Sequence, residues 1–261
     1  MWYFSFNKLE AKAVSGHSKW ASIKHKKGAA DAKRGKLFTK LIKEITVAAR
    51  EGGGDPDTNP TLRTAVMKAK DANMPKDNID RAIKKGTGEL EGVAYHEITY
   101  EAYGPGGVAL LLQVLTDNKN RTAADLRNLI TKANGNLGET GCVSYLFQRK
   151  GIIAFDAQKY AEDDILSAAL ESGAEDVTND GSTIEVITAP EDFMNVLEAC
   201  KNAGFEEEMA EVTMVPEATI SLDEETTGKA LKLIETLDDH EDVQSVSTNL
   251  DIPDDYNFED E

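Results

Sequence analysis

The segment 36–50 constrains this chain more than any other stretch. Placed on a helix at ~100° per residue, Leu37, Phe38, Leu41, Ile42, Ile45, Ala48 and Ala49 fall on one side, with Lys36, Lys40, Lys43 and Arg50 on the other. A stripe of that width has to be buried against other elements. The segment is therefore expected to be the spine of a small helical domain, with its lysine stripe facing outward. The surrounding residues 16–50 hold ten Lys or Arg against two acids, Asp31 and Glu44, a local charge of +8 in a chain of net charge −18. Cations of this density neutralise phosphate, and a flat ring such as Trp20 can stack on a base. The competing reading is a solvated helix face behind a lysine-rich arm, with Trp20 as a packing anchor.

The charge reversal extends beyond that segment. Residues 1–88 carry 19 Lys/Arg and 9 Asp/Glu, whereas 89–261 carry 10 and 38. Such asymmetry suggests a basic binding module joined to acidic domains that stay off a polyanion. The Debye length is about 8 Å at physiological salt, so distant acids do not cancel a basic face. With 261 residues, 40% of them hydrophobic, the chain has room for two or three domains with real cores. Cys142 and Cys200 stand far apart without a CxxC partner, so neither a disulfide framework nor a zinc site is indicated, and reduced thiols in a cytoplasmic setting fit. Residues 1–15 have too short an apolar run for a signal peptide and no arginine for a transit peptide; they are set aside as a disordered leader. No run approaches 18 apolar residues, so no membrane partner is expected.

Taken in order, residues 16–35 read as an arm with a turn or two of helix over 29–34. Gly52-Gly53-Gly54 ends the first helix, and Asn59-Pro60 is an N-cap followed by proline at the first helical position of a second. Asn73-Met74-Pro75 separates that helix from a third, which Gly86 stops. From Ala94 the period changes to that of strands, expected at 95–103 and 108–115, with a helix at 121–133. Strands follow at 143–147 and 152–155, then a helix at 163–172, strands near 176–178 and 182–188, a helix at 190–203 and a strand at 209–215. Residues 151–215 thus show β-α-β-β-α-β, the ferredoxin-like order. A helix at 223–237 and a strand at 243–250 complete a second such unit with residues 94–133. The fold class expected is α+β and multidomain: a three-helix domain followed by two ferredoxin-like α/β domains, one inserted in the other. The domains are 16–89, 90–143 plus 217–250, and 144–216 as the insertion, with an acidic, disordered tail at 251–261.

Catalytic constellations are weak. His17 and His25 lie in the basic arm, where cations repel a metal, and His96 and His240 have no second ligand at metal spacing. Glu206-Glu207-Glu208 can be imagined as a two-metal nuclease site, but a run of acids is ordinarily a solvated surface. There is no GxSxG, no reactive-cysteine context and no dinucleotide fingerprint. The residues read as a binding protein that uses no cofactor. A secondary anion contact is possible at Lys119 and Arg121, which flank a helix N-terminus; the competing reading is simple capping by Asn120 or Thr122.

Several motifs together resemble a known family. GHSKW at 16–20, IKHKK at 23–27, KRGK at 33–36, GGGDPDTNPTLR at 52–63 and NMPKDNIDRAIKKGTGE at 73–89 are similar to the YebC/PmpR family. YEAYGPGGVALL at 100–111, DNKNRTAADLR at 117–127 and GNLGETGCVSYLF at 135–147 continue the likeness, which covers about 16–253. The resemblance implies one helical and two ferredoxin-like domains, a cytoplasmic regulator of gene expression, and no cofactor. It points to His17, Lys19, Trp20, Lys24, His25, Lys26, Lys27, Lys33, Arg34 and Lys36 as nucleic-acid contacts, to which the helix adds Lys40 and Lys43. Bacterial members are described as DNA-binding transcriptional regulators, mitochondrial relatives as translational activators of a cytochrome c oxidase subunit, and ribosome-associated roles are attributed to bacterial members as well. The partner expected is nucleic acid, DNA or ribosomal RNA, with the ribosome itself a further candidate. The segment shows few groups suited to reading base edges, which leaves both open. The oligomeric state is not legible.

Overall fold

The computed structural model describes residues 31–253 and Tyr256, with side chains from Arg34 onward. The leader 1–15, the arm up to residue 30 and most of the acidic tail lie outside the described residues. Along the chain the elements are α1 (Asp31–Gly52), α2 (Pro60–Asp71), α3 (Lys76–Gly86), β1 (His96–Tyr103), β2 (Ala109–Thr116), α4 (Lys119–Lys132), β3 (Asn136–Leu137) and β4 (Phe147–Asp156). They continue as α5 (Glu162–Glu171), β5 (Ala174–Asn179), β6 (Thr183–Thr188), α6 (Phe193–Asn202), β7 (Met209–Pro216), β8 (Ile220–Ser221), α7 (Glu224–Asp238), β9 (Val243–Thr248) and β10 (Leu250–Asp251). The architecture is α+β and multidomain, as the alternation of periods implied. The chain forms two compact units, one of residues 31–144 and 223–246, the other of 145–222 with the residues from 247 onward.

In the first unit, α1 packs against α2 and α3. The apolar stripe closes a core of Leu41, Ile45, Ala48 and Ala49 with Leu62, Ala65, Val66, Ala69, Met74, Ile79 and Ala82. The α1–α2 corner is tied by Asn59, which is 5% exposed. Its Oδ1 accepts from the Leu62 amide at 3.1 Å, capping α2, while its Nδ2 donates to the carbonyls of Ala48 at 2.8 Å and Gly53 at 2.9 Å. The α/β part of this unit is a sheet of order β3-β1-β2-β9. β1 and β2 are antiparallel from His96↔Thr116 to Tyr103↔Ala109. β2 lies inside the sheet and is apolar on both faces, hence its continuous hydrophobic run. The helices α4 and α7 pack against each other.

The second unit contains an antiparallel sheet of order β5-β6-β4-β7, the arrangement of a β-α-β-β-α-β unit. Ile153, Phe155, Ile184 and Val186 from the strands join Ile165, Ala169, Val196 and Leu197 from α5 and α6 in one core. The rings of Phe155, Tyr160 and Phe205 meet edge to face at centroid distances of 5.2–6.3 Å. The short strands β8 and β10 pair in parallel.

Several boundaries differ from expectation. Helix α1 begins at Asp31, not at residue 36. Gly35 is embedded in it because the flanking Ala32, Lys33, Arg34, Lys36 and Leu37 are all good helix formers, which together offset the cost of about 1 kcal/mol for one glycine. The two strands expected at 143–147 and 152–155 are one ten-residue strand, β4, preceded by a 3-10 turn at Ser144–Leu146. Within it Gly151 marks a close approach: a Cβ there would collide with Thr188 Oγ1 and lie 2.9 Å from Phe193 Cβ. The cap of α4 is Asn118, neither Asn120 nor Thr122; its Oδ1 accepts from the Arg121 amide at 3.1 Å.

Gly86 sets how closely α3 approaches α1. A Cβ there would sit 2.5 Å from the Thr46 carbonyl oxygen and 2.7 Å from Ala49 Cβ. We expect Gly86→Ala to destabilise the protein by about 1–3 kcal/mol through overpacking of backbone that cannot give way, read as a lowered midpoint in urea denaturation followed by circular dichroism.

Candidate nucleic-acid interface

Two lysines of the α1 stripe, Lys40 and Lys43, are withdrawn from solvent. Spaced at i, i+4 and i+7, Lys36, Lys40 and Lys43 each meet the acidic corner between α7 and β9. Lys36 Nζ lies 3.3 Å from Asp239 Oδ2, with both side chains nearly half exposed. Lys40 donates to the Asp238 carbonyl and sits 3.9 Å from its carboxylate. Lys43 is 7% exposed. Its ammonium contacts Asp242 Oδ1 at 2.6 Å, lies over the Tyr95 ring at 5.7 Å from the centroid, and donates to the Glu241 carbonyl at 3.0 Å. The expectation of an outward stripe is thus corrected for Lys40 and Lys43. The sequence argument assumed that the side opposite the apolar stripe must meet water, whereas α1 is flanked by a bundle core on one side and by carboxylates of the α/β part on the other.

Asp242 is the centre of this arrangement. Its Oδ2 accepts from the Thr122 hydroxyl at 2.7 Å and from Arg121 Nη2 at 2.9 Å, and its amide donates to His240 Nδ1 at 3.1 Å. Burial would raise the Asp242 carboxyl, but donation from Lys43, Thr122 and Arg121 outweighs burial and holds it well below the ordinary carboxylate range. Arg121 also pairs with Asp117 at 2.8 Å. Of the two residues expected to make a secondary anion contact, Arg121 is therefore already held by carboxylates, while Lys119 is exposed.

The expected contacts His17, Lys19, Trp20, Lys24, His25, Lys26 and Lys27 lie outside the described residues, as does the side chain of Lys33. Arg34 is exposed on the first turns of α1. A second group of cations was missed from the sequence. Lys70 on α2 and Lys76, Arg81 and Lys84 on α3 are exposed and make no ion pair among the described residues, whereas Lys68 pairs with Glu44 at 3.0 Å. Their signal was present in the positive balance of residues 1–88. Asp77 and Asp80 interrupt this cationic face.

The glycine-rich stretch after β3 has a separate organiser. Glu101, 4% exposed, accepts from the amides of Gly141 at 2.7 Å, Val143 at 2.7 Å and Ser144 at 2.8 Å. Burial would raise its carboxyl, but these three N–H donors prevail and lower it. The Tyr103 hydroxyl donates to the Cys142 carbonyl at 2.8 Å. Of the acids considered for metal chemistry, Glu207 pairs with Lys201 at 2.7 Å, and among the described residues no three His, Cys, Asp or Glu side chains converge. No helix among the described residues is long and apolar enough to cross a membrane.

Removing Asp242 strands a buried ammonium. Asp242→Ala is expected to cost about 3–5 kcal/mol, measured by urea denaturation at neutral pH. An unfolded Asp titrates near 4, and the folded group titrates lower still. Its stabilisation is therefore complete above about pH 4 and is lost as pH falls through the folded value, so the difference between wild type and variant should shrink in acid.

Two family models together match most of the chain: "TACO1/YebC protein N-terminal domain" over residues 18–89 and "TACO1/YebC second and third domain" over 95–250. A probable transcriptional regulatory protein of Treponema denticola is 62% identical over 243 residues, covering 93% of this chain and 98% of its own. One of the same description from Desulfosudis oleivorans is 57% identical, covering 92% and 98%. The crystal structure of a conserved hypothetical protein from Aquifex aeolicus superimposes with a TM-score of 0.81 at 50% identity, covering 91% of this chain and 98% of that one. Matched from its helical module through both α/β portions, this chain belongs to the TACO1/YebC family.

Proposed function

We propose that this protein is a non-enzymatic nucleic-acid-binding regulator of gene expression, a DNA-binding transcriptional regulator acting in the cytoplasm without a cofactor. The observation that carries this reading is the set of exposed cations on α2 and α3, Lys70, Lys76, Arg81 and Lys84, which make no ion pair among the described residues. It belongs to the same basic module as the lysine-rich arm at 16–35. The names of the relatives, probable transcriptional regulatory proteins, point the same way. The three-domain division belongs to this reading as well: a binding module at 16–89, a domain of 90–143 with 217–250, and an insertion at 144–216.

The chemistry of the face favours phosphate over base edges. It offers three lysines and one arginine, and lysine is a compact point charge that positions a backbone without reading sequence. That property suits folded RNA as well as duplex DNA, so a ribosome- or RNA-associated translation factor remains the second reading. The lysines and imidazoles of the arm, with Trp20, would serve either target through phosphate contact and stacking.

The test is the salt dependence of binding to a mixed-sequence DNA duplex, followed by fluorescence anisotropy. Changing Lys70, Lys76, Arg81 and Lys84 together to Ala should weaken binding and flatten the slope of log K against log salt by about 0.9 for each phosphate no longer neutralised. An unchanged slope removes this face from the interface. A hairpin RNA bound more tightly than the duplex, with co-sedimentation of the protein with ribosomes, moves the assignment to the translation reading.

A further inference from the structure

The pairs that Lys36, Lys40 and Lys43 of α1 make with aspartates differ in how completely each lysine is withdrawn from solvent. Lys43 has a side chain 9% exposed against an Asp242 side chain 4% exposed, at 2.6 Å. Lys40 and Asp238 are each 12% exposed at 3.9 Å. Lys36 and Asp239 are 43% and 45% exposed at 3.3 Å. The innermost pair cannot open without leaving a buried charge alone, at a cost of several kcal/mol. The outermost is a surface pair of the kind that contributes little to stability and exchanges readily. It lies in the first turns of α1, beside a shallow groove lined also by Lys232, Glu235 and His240.

From this gradient we propose that Asp239, at the exposed end of the acidic corner Asp238–Asp242, competes with nucleic acid for Lys36. Asp239 occupies Lys36 where a phosphate would otherwise sit, and the corner thereby lowers the affinity of the basic module for polyanions. A carboxylate and a phosphate oxygen present the same acceptor to an ammonium, so one displaces the other without rearrangement of the helix. Lys43 and Asp242 remain closed throughout and keep the corner in place. The inference rests on the nucleic-acid reading of the basic module.

A double-mutant cycle on Lys36 and Asp239 tests it, with the full chain and the same mixed-sequence DNA duplex. Both residues are near half exposed, so neither substitution disturbs a core. Asp239→Asn should tighten binding by up to about fivefold, the scale of a surface ion pair, and steepen the salt slope by about 0.9, as one further phosphate is neutralised. In the Lys36→Ala background the same substitution should do neither. The double variant Asp163→Asn with Asp164→Asn on α5 serves as a control for charge removed elsewhere. Equal tightening by Asp239→Asn with and without Lys36, or by the control, reduces the effect to net charge and overturns the inference. So does an Asp239→Asn variant that binds as wild type does. If wild type itself fails to bind the duplex or a hairpin RNA, it is the functional reading that falls.

Discussion

The arrangement on which the first unit depends is the contact of one buried carboxylate with one buried ammonium. Asp242 and Lys43 are both nearly inaccessible, at 3% and 7% exposure. Neither charge is tolerable there without the other. Around them, the Thr122 hydroxyl and Arg121 guanidinium from the start of α4, the β2 backbone through Leu115, and His240 from the α7–β9 corner all converge. A helix of the bundle, two strands of the sheet and the starts or ends of two further helices thus share one hydrogen-bonded centre. Replacement by apolar residues of similar size could match it in stability. What the charged version adds is registry, because only one rotation and translation of α1 brings Lys36, Lys40 and Lys43 opposite Asp239, Asp238 and Asp242.

That contact changes the electrostatic meaning of the basic segment. A net charge of +8 over 16–50 suggests that every lysine in it is available to a polyanion. Of Lys36, Lys40 and Lys43 on α1, the structure buries one in an ion pair, nearly buries another and leaves the third in a half-exposed pair. Further exposed cations, Lys70, Lys76, Arg81 and Lys84, stand on α2 and α3, elements joined to α1 by the same apolar core. A protein of net charge −18 can in this way keep a basic face and a basic clamp without the two being interchangeable.

Much of the fold was legible because its signals are local. The pattern Asn59-Pro60 works as a cap through an Asn side chain three residues from the amide it accepts, and the observed bond to Leu62 has that span. Apolar patterning located every strand of six residues or more but neither of the two-residue strands β3 and β8, which are too short to show a period. The failures share a cause in contacts distant along the chain. The sequence split β4 into two strands, and the glycine between them, Gly151, is required by Thr188 and Phe193, some 40 residues further on. The carboxylate of Glu101 gave no sign that it would cradle amides 40 and more residues later.

The candidate site divides along the same line. By itself, the sequence determined that a basic, phosphate-suited module stands at the start of an acidic chain, that its spine is an amphipathic helix, and that α/β units of alternating period follow. Those properties depend on side-chain type and spacing within a helical turn or a strand. Only the tertiary structure decided which lysines meet solvent. Their exposure depends on Asp238, Asp239 and Asp242, some 200 residues away along the chain, and amphipathicity specifies that a helix has two faces without specifying that only one of them is covered.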